Sequence, residues 1–338
     1  MKHPTLDRRH LMLSGSAALL AAPAIARAQA PAIPAWKTEF RRMAPNVYAF
    51  IRGGGPGVDN GALSNAGVIV GPDNVTLVDA LGPPIHAKEL RAAVQSVTAK
   101  RVTRIINTHF HRDHTNGDYL FAPTEVVMTP ATRDLLQAIP PHPYDTRPEW
   151  QEGMGELKLV MPTTLITNDI TYMYGDLEVR VLSPGAAHTF GDLMVYLPQH
   201  RLLFAGDVAF FYVSPALHTS NPEHWLEVCD RIQKMDVDVI VPGHGPVGGK
   251  RELAEMVEFI KLMQSEIRRG YDAGKSPGRA AAEARTGRFA NWTNQDRLVW
   301  AAVRLYADWK GALPPEQDLA GQTKALAEYN AILKAGGR

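Results

Sequence analysis

The stretch Thr108-His109-Phe110-His111-Arg112-Asp113-His114-Thr115-Asn116-Gly117 sets three imidazoles and a carboxylate within six consecutive positions. That density points to a metal, because neutral imidazole and carboxylate are the common nitrogen and oxygen ligands of zinc, iron and manganese. The spacing His-x-His-x-Asp-His presents side chains from one tight turn to two adjacent points, so a two-metal site is expected. Immediately before it, Arg101 to Asn107 reads as a buried strand through Val102, Ile105 and Ile106. The motif is thus delivered at a strand's carboxyl end, where open α/β sheets place ligands.

Working outward toward the amino terminus, Pro83 to Thr98 reads as a helix with proline at its start. Ala66 to Ala80 reads as strands turning at Gly71-Pro72-Asp73-Asn74, and Phe40 to Ile51 as a strand. Between them, Arg52 to Gly61 holds five glycines in ten positions and excludes regular structure. It lacks a G-x-G-x-x-G frame and precedes a strand, so phosphate binding is disfavoured. A mobile loop at a pocket rim or a plain linker is expected instead.

Toward the carboxyl terminus, a strand at Thr124 to Met128 and a helix after Pro130 continue the alternation. Residues 139–155 break it, with three prolines among four positions from Pro140 to Pro143, and form either a substrate lid or a surface excursion. Strands follow at Leu157 to Leu165, Leu177 to Ser183, Leu193 to Leu197, Arg201 to Asp207 and Val237 to Val241, with a helix from Pro222. From Lys250 the chain reads as helical, through Leu253, Met256, Ile260 and Met263, then near 292–309 and 320–334. No catalytic cluster is seen there. This part is expected to cover the sheet or form an oligomer contact.

The 338 residues are 45% apolar and 21% charged, enough to bury a substantial core. Formal charge is +1, and without residues 1–30 the balance is 32 basic to 34 acidic residues. A near-neutral body without a Lys/Arg run argues against nucleic acid or an anionic membrane as partner and favours a small-molecule substrate. Residues 1–30 have a charged start, an apolar run from Leu11 to Ile25 and a small-residue exit at Ala28-Gln29-Ala30, the pattern of an export signal. Arg8-Arg9 resembles the twin-arginine type, which carries folded proteins, so a periplasmic location without stable membrane association is expected. The lone Cys229 permits no intramolecular disulfide and shares a helical face with Trp225 and Ile232, as a packing thiol would.

His109, His111, Asp113, His114, His188, Asp207 and His244 each stand at the carboxyl end of an expected strand or in the turn after it. The histidines at 3, 10, 86, 142, 200, 218 and 224 have no such context. Phe110, Phe210, Phe211 and Tyr212 adjoin these residues and either line an apolar substrate pocket or pack between sheets.

The motif at 109–114, then His188, Asp207 and Pro242-Gly243-His244-Gly245, resembles the metallo-β-lactamase superfamily from about residue 40 to about residue 265. The resemblance implies a four-layer αββα sandwich with metals at one edge, spanning 36–265, after a signal at 1–30 and before a C-terminal helical extension at 266–338. It assigns His109, His111 and His188 to one metal and Asp113, His114 and His244 to the other, with Asp207 bridging. Two zinc ions are expected, with iron or manganese as substitutes. Such ions lower the pKa of a bound water toward about 7, so no Ser or Cys nucleophile is needed, and Asp113 is the expected catalytic proton carrier.

Asp207, where one β-lactamase subclass has Cys, makes the site similar to the glyoxalase II, lactonase and general hydrolase branch. The expected function is hydrolysis of an ester, lactone, thioester or related acyl bond. The rivals are a β-lactamase, an iron-dependent oxidoreductase of the persulfide dioxygenase kind, and a non-catalytic metal-binding accessory protein. A P-loop fails at His244, and a Ser-His-Asp triad lacks its Gly-x-Ser-x-Gly.

Overall fold

The computed structural model describes residues 30–122, 124–138 and 152–336. The expected signal before Ala30 and most of the 139–155 excursion lie outside the described residues.

β1 (Glu39–Ala44), β2 (Val47–Ile51), β3 (Ala66–Val70), β4 (Val75–Val78), β5 (Val102–Ile106), β6 (Glu125–Met128) and β7 (Thr164–Leu165) form one sheet in chain order. Pairing is antiparallel as far as β4 and parallel from there on. Helices α1 (Pro84–Val97), α2 (Arg112–Thr115) and α3 (Pro130–Ala138) lie in its crossovers. The second sheet has the order β12 (Val239–His244), β11 (Leu202–Phe210), β10 (Asp192–Leu197), β9 (Leu177–Gly185), β8 (Ile170–Tyr174). α4 (Pro222–Lys234) crosses between β11 and β12, and α5 (Lys250–Asp272), α6 (Pro277–Ala282), α7 (Arg297–Asp308) and α8 (Leu319–Ala335) follow.

Period-2 alternation sorts side chains into separate cores. Ile106 and Val127 face Val195, Leu197 and Phe204 between the sheets, whereas Ile105, Val126 and Met128 face α1 and α3 through Leu90, Val94 and Leu136. In β10, Leu193, Val195 and Leu197 point between the sheets, while Met194 and Tyr196 join Trp225, Leu253, Met256 and Val299 on the far side. Helix, sheet, sheet and helix therefore stack as a four-layer αββα sandwich with a helical C-terminal extension. Residue 265 lies inside α5, and α7 and α8 share the core of α4 and α5.

Several expected elements differ. Phe40 to Ile51 is a hairpin, because Asn46 takes a left-handed φ of 62° between β1 and β2. Only Thr164–Leu165 of the expected strand at 157–165 pairs, since Pro162 has no amide to donate. β11 does not end at Asp207 but runs on to Phe210, with irregular register around Gly206. Cys229 is fully buried in α4, and burial pushes its thiol up to about 12. Among the described residues, no helix is long and apolar enough to cross a membrane.

Candidate metal centre

The site forms where the carboxyl ends of β4, β5 and β12 and the middle of β11 meet at one edge of the sandwich. After β5 the chain places Thr108 against Asp79, the residue following β4. Asp79 Oδ1 accepts from the Thr108 amide (2.7 Å) and Oδ2 from the Thr108 hydroxyl (2.8 Å). The hydroxyl proton is therefore committed to Asp79, so Thr108 Oγ1 accepts from His109 Nδ1 at 2.9 Å. His109 Nε2 is left with a bare lone pair.

The same logic fixes the two neighbouring rings. His188 Nδ1 donates to the Ala216 carbonyl at 2.9 Å, leaving Nε2 free. Thr219 Oγ1 donates to the His188 carbonyl and so accepts from His111 Nε2, each at 3.2 Å, leaving His111 Nδ1 free. His111 Nδ1 lies 3.0 Å from His109 Nε2 and 2.9 Å from His188 Nε2. Three lone pairs converging without a proton repel one another unless a cation lies among them, and this donor set fits a divalent ion.

A second set adjoins the first. His114 Nδ1 donates to Asp79 Oδ2 at 2.8 Å, which aims Nε2 at Asp207 Oδ1, 3.1 Å away. His244 Nε2 lies 3.1 Å from Asp113 Oδ2 and 3.4 Å from Asp207 Oδ2. Asp207 also reaches back, with Oδ2 3.2 Å from His188 Nε2 and 3.7 Å from His109 Nε2. The structure thus brings together all seven residues singled out in the sequence, in two groups, His109, His111, His188 and Asp207 beside Asp113, His114 and His244. His114 Nε2 and Asp207 Oδ1 are buried without hydrogen-bond partners, as atoms awaiting a cation would be.

Electrostatics prepares the donors. Burial holds His109 and His188 well below the ordinary imidazole range and His111 at about 4, so these rings are neutral at physiological pH. Burial favours the protonated form of Asp207, but His244, His114, His188 and His109 outweigh it and hold the carboxyl well below its usual range. Burial likewise opposes charge on His114, but Asp207, Asp113 and Asp79 raise it well above its ordinary value. A cation entering the second group therefore displaces a proton.

A cavity of about 260 Å³ opens on this centre, with His111, Asp113, Asp207 and His244 among its lining residues. Phe110 lines it, whereas Phe210 is buried and stacks on His244 at 5.2 Å, and Phe211 packs in the helix-side core. Tyr212, only partly buried, packs against that core too. Gly61, at the end of the Gly-rich loop, reaches the rim. The loop is fastened there, since Asn60 N and Nδ2 donate to Asn294 Oδ1 and Thr293 Oγ1 at 2.9 and 3.2 Å.

Several residues of the site stand outside the set expected from the sequence. His218, without apparent context in the sequence, stacks on His111 at 4.7 Å and lines the cavity. The C-terminal part, expected only to cover the sheet or mediate oligomers, contributes Arg297 and Trp300 of α7 and Gln317, just before α8, to the cavity wall. Asp79 and Asp192 were also missed. Asp192 holds the His188 turn by accepting from the amides of Ala187 and Thr189 at 3.0 and 2.9 Å. A carboxylate ending the apolar run Val75-Thr76-Leu77-Val78 is the same signal that singled out Asp207, and it would have found Asp79.

Fold and site together define an αββα protein with a histidine and aspartate metal centre. The chain belongs to the metallo-beta-lactamase superfamily, whose family model matches residues 59–244. It is 24% identical over 311 residues to a linear primary-alkylsulfatase from a Pseudomonas species, covering 79% of this chain and 53% of that relative, so it spans about half of that protein's length. It is 26% identical over 205 residues to the metallo-beta-lactamase type 2 of Bacillus cereus, covering 59% of this chain and 73% of that one. In fold it is similar to a metallo-beta-lactamase from Pontibacter korlensis, with a TM-score of 0.52 and 20% identity over 67% of this chain and 99% of that one.

Proposed function

We propose that this protein is an exported, dinuclear zinc hydrolase that cleaves an ester, lactone, thioester or related acyl bond of a small molecule. The observation that carries this reading is the convergence of three unprotonated imidazole nitrogens beside Asp207, opening on a cavity with an apolar wall. Divalent cations bound by the two groups would supply an activated water and a Lewis acid for the bond under attack.

The chain's own residues do the rest. His109, His111 and His188 would hold one ion, Asp113, His114 and His244 the other, with Asp207 between them. Asp79 keeps His109 and His114 in the tautomers that present Nε2, indirectly through Thr108 in the first case. Asp113, which lines the cavity with Oδ2 3.1 Å from His244 Nε2, would orient the attacking water and carry its proton to the leaving group. Cys229 takes no part, since it is buried in α4 with its thiol pushed up. Export to the periplasm rests on the pattern of residues 1–30.

Purified mature protein loaded with zinc should hydrolyse at least one member of a panel of aryl esters, lactones, thioesters, β-lactams and alkyl sulfates, the last included because of the alkylsulfatase relative. Chelation should abolish this and zinc restore it. Preferential cleavage of a cephalosporin would make the protein a β-lactamase instead. Iron as the native metal, with oxygen consumption and no hydrolysis, would overturn the reading in favour of an oxidoreductase, and no turnover at all would leave an accessory protein.

A further inference from the structure

Arg297 opens α7 and is only 2% exposed, yet it lines the cavity above the metal centre. Its guanidinium lies 5.3 Å from the Phe210 ring centroid and 5.7 Å from that of Trp300. Nη1 donates to the Ser214 carbonyl at 2.8 Å, while Nε is buried without a partner. A guanidinium has five donors and no acceptor, so burying it half-satisfied is costly unless something else meets it.

Charge balance is the rival explanation, since Asp207, Asp296, Asp113 and Asp59 all act on Arg297, the first and third of them from the cavity wall. Two divalent cations, however, bring four positive charges to a centre whose cavity-lining acids are these two. Cations held there would engage Asp113 and Asp207, leaving the guanidinium only Asp296 and Asp59 as carboxylate neighbours, neither of which lines the cavity. The rest of the wall is mixed, with the apolar Trp300, Phe110 and Ala216 beside Arg112, His218 and Gln317, and the Trp300 ring edge-on to His218 at 5.1 Å.

We infer that Arg297 is the specificity-determining residue of this site, binding an anionic oxygen of the substrate while Trp300 and Phe110 accept its apolar part. The preferred substrate is then an amphiphilic ester that carries an oxyanion, either a sulfate ester or an ester with a carboxylate beside the scissile bond. The inference deepens the hydrolase reading and rests on it for the word substrate. The anion-binding function of Arg297 can be measured without turnover.

The test uses zinc-loaded full-length mature protein, wild type, Arg297→Gln and Arg297→Lys. Two pairs of esters are compared, an aryl ester with and without a neighbouring carboxylate, and a hexyl sulfate beside hexyl acetate. Binding of the inert hexanesulfonate is followed by calorimetry. Losing a charge-assisted hydrogen bond should raise KM for the anionic ester, and weaken hexanesulfonate binding, by about 10- to 100-fold in Arg297→Gln. The neutral partner should change by no more than about twofold, Arg297→Lys should recover part of the loss, and zinc content should stay at the wild-type level. Which anionic ester shows the effect tells sulfate from carboxylate.

Equal changes for anionic and neutral esters, or undiminished hexanesulfonate binding in Arg297→Gln, would overturn the inference and leave the hydrolase reading intact. Arg297-dependent hexanesulfonate binding without hydrolysis of any ester would uphold the anion site and overturn the hydrolase reading. Should Arg297→Gln fail to fold, Arg297→Lys and the wild type decide. No preference of the wild type for the anionic member of either pair, and no hexanesulfonate binding, would overturn the inference.

Discussion

A methyl group at position 243 is enough to dislodge Asp207, because a Cβ there would lie 1.8 Å from Oδ1. Gly243→Ala should therefore cost more than half of the bound zinc by elemental analysis, with the circular dichroism of the fold retained. Asp207→Ala should lower metal content and hydrolysis together. Asp79→Ala leaves the His114 Nδ1 proton and the Thr108 hydroxyl without their acceptor, and a loss of about 10- to 100-fold in zinc affinity is expected by competition with a chelator.

Cys229 belongs to the opposite category, and Cys229→Ala should spare both metal content and activity. Its folded-state thiol, pushed up from 9.0 to about 12, keeps its proton where the unfolded thiol ionises. Its contribution to stability is therefore complete below pH 9.0 and is lost as pH rises toward 12. Between pH 8 and pH 10.5, denaturant unfolding of wild type should lose about 2 kcal/mol more than that of Cys229→Ala. An equal loss in both would show that the thiol is not held in its protonated form.

Among elements, β11 shows how a strand can carry a ligand in its middle. Gly206 takes a φ of 52°, and a Cβ there would meet the Thr108 side chain at 2.6 Å. This kink turns Asp207 toward His114 and His188 instead of leaving it in regular pairing. The Gly-rich loop and the turn before α7 form a second coupled pair, since Asn294 also donates from Nδ2 to Asp59 Oδ1 at 2.6 Å. Asn294→Ala should loosen both rims of the cavity, raising KM several-fold with zinc content unchanged and lowering unfolding stability by about 1–2 kcal/mol. Unchanged KM would show that the loop does not shape the pocket.

At the scale of the whole molecule, α7 and α8 are built into the same core as β10, β11 and α4 through Val299, Ala302, Leu305 and Tyr329. A chain ending at residue 272 would expose that apolar surface and lose Arg297 and Trp300 from the cavity. It should be insoluble or open by limited proteolysis, whereas an independent C-terminal unit would leave a soluble, zinc-binding remainder.

The metal motif was legible in the sequence because its donors lie within the turn after β5 and the short α2, where spacing along the chain is spacing in space. His188, Asp207 and His244 were legible for a related reason, since each marks the end or turn of an apolar run that the sheet brings to one edge. The hairpin at Asn46 and the short β7 were not, because a single left-handed residue or a proline without an amide overrides the apolar pattern around it.

By itself, the amino-acid sequence determined the alternating α/β order, the seven metal-centre candidates and the packing role of Cys229. Only the tertiary structure decided that Asp79 sets the histidine tautomers, that His218 stacks on His111, and that a C-terminal helix places Arg297 over the centre. Those relations join residues on different layers of the sandwich, and apolar periodicity says which face of an element is buried, not which element will cover it.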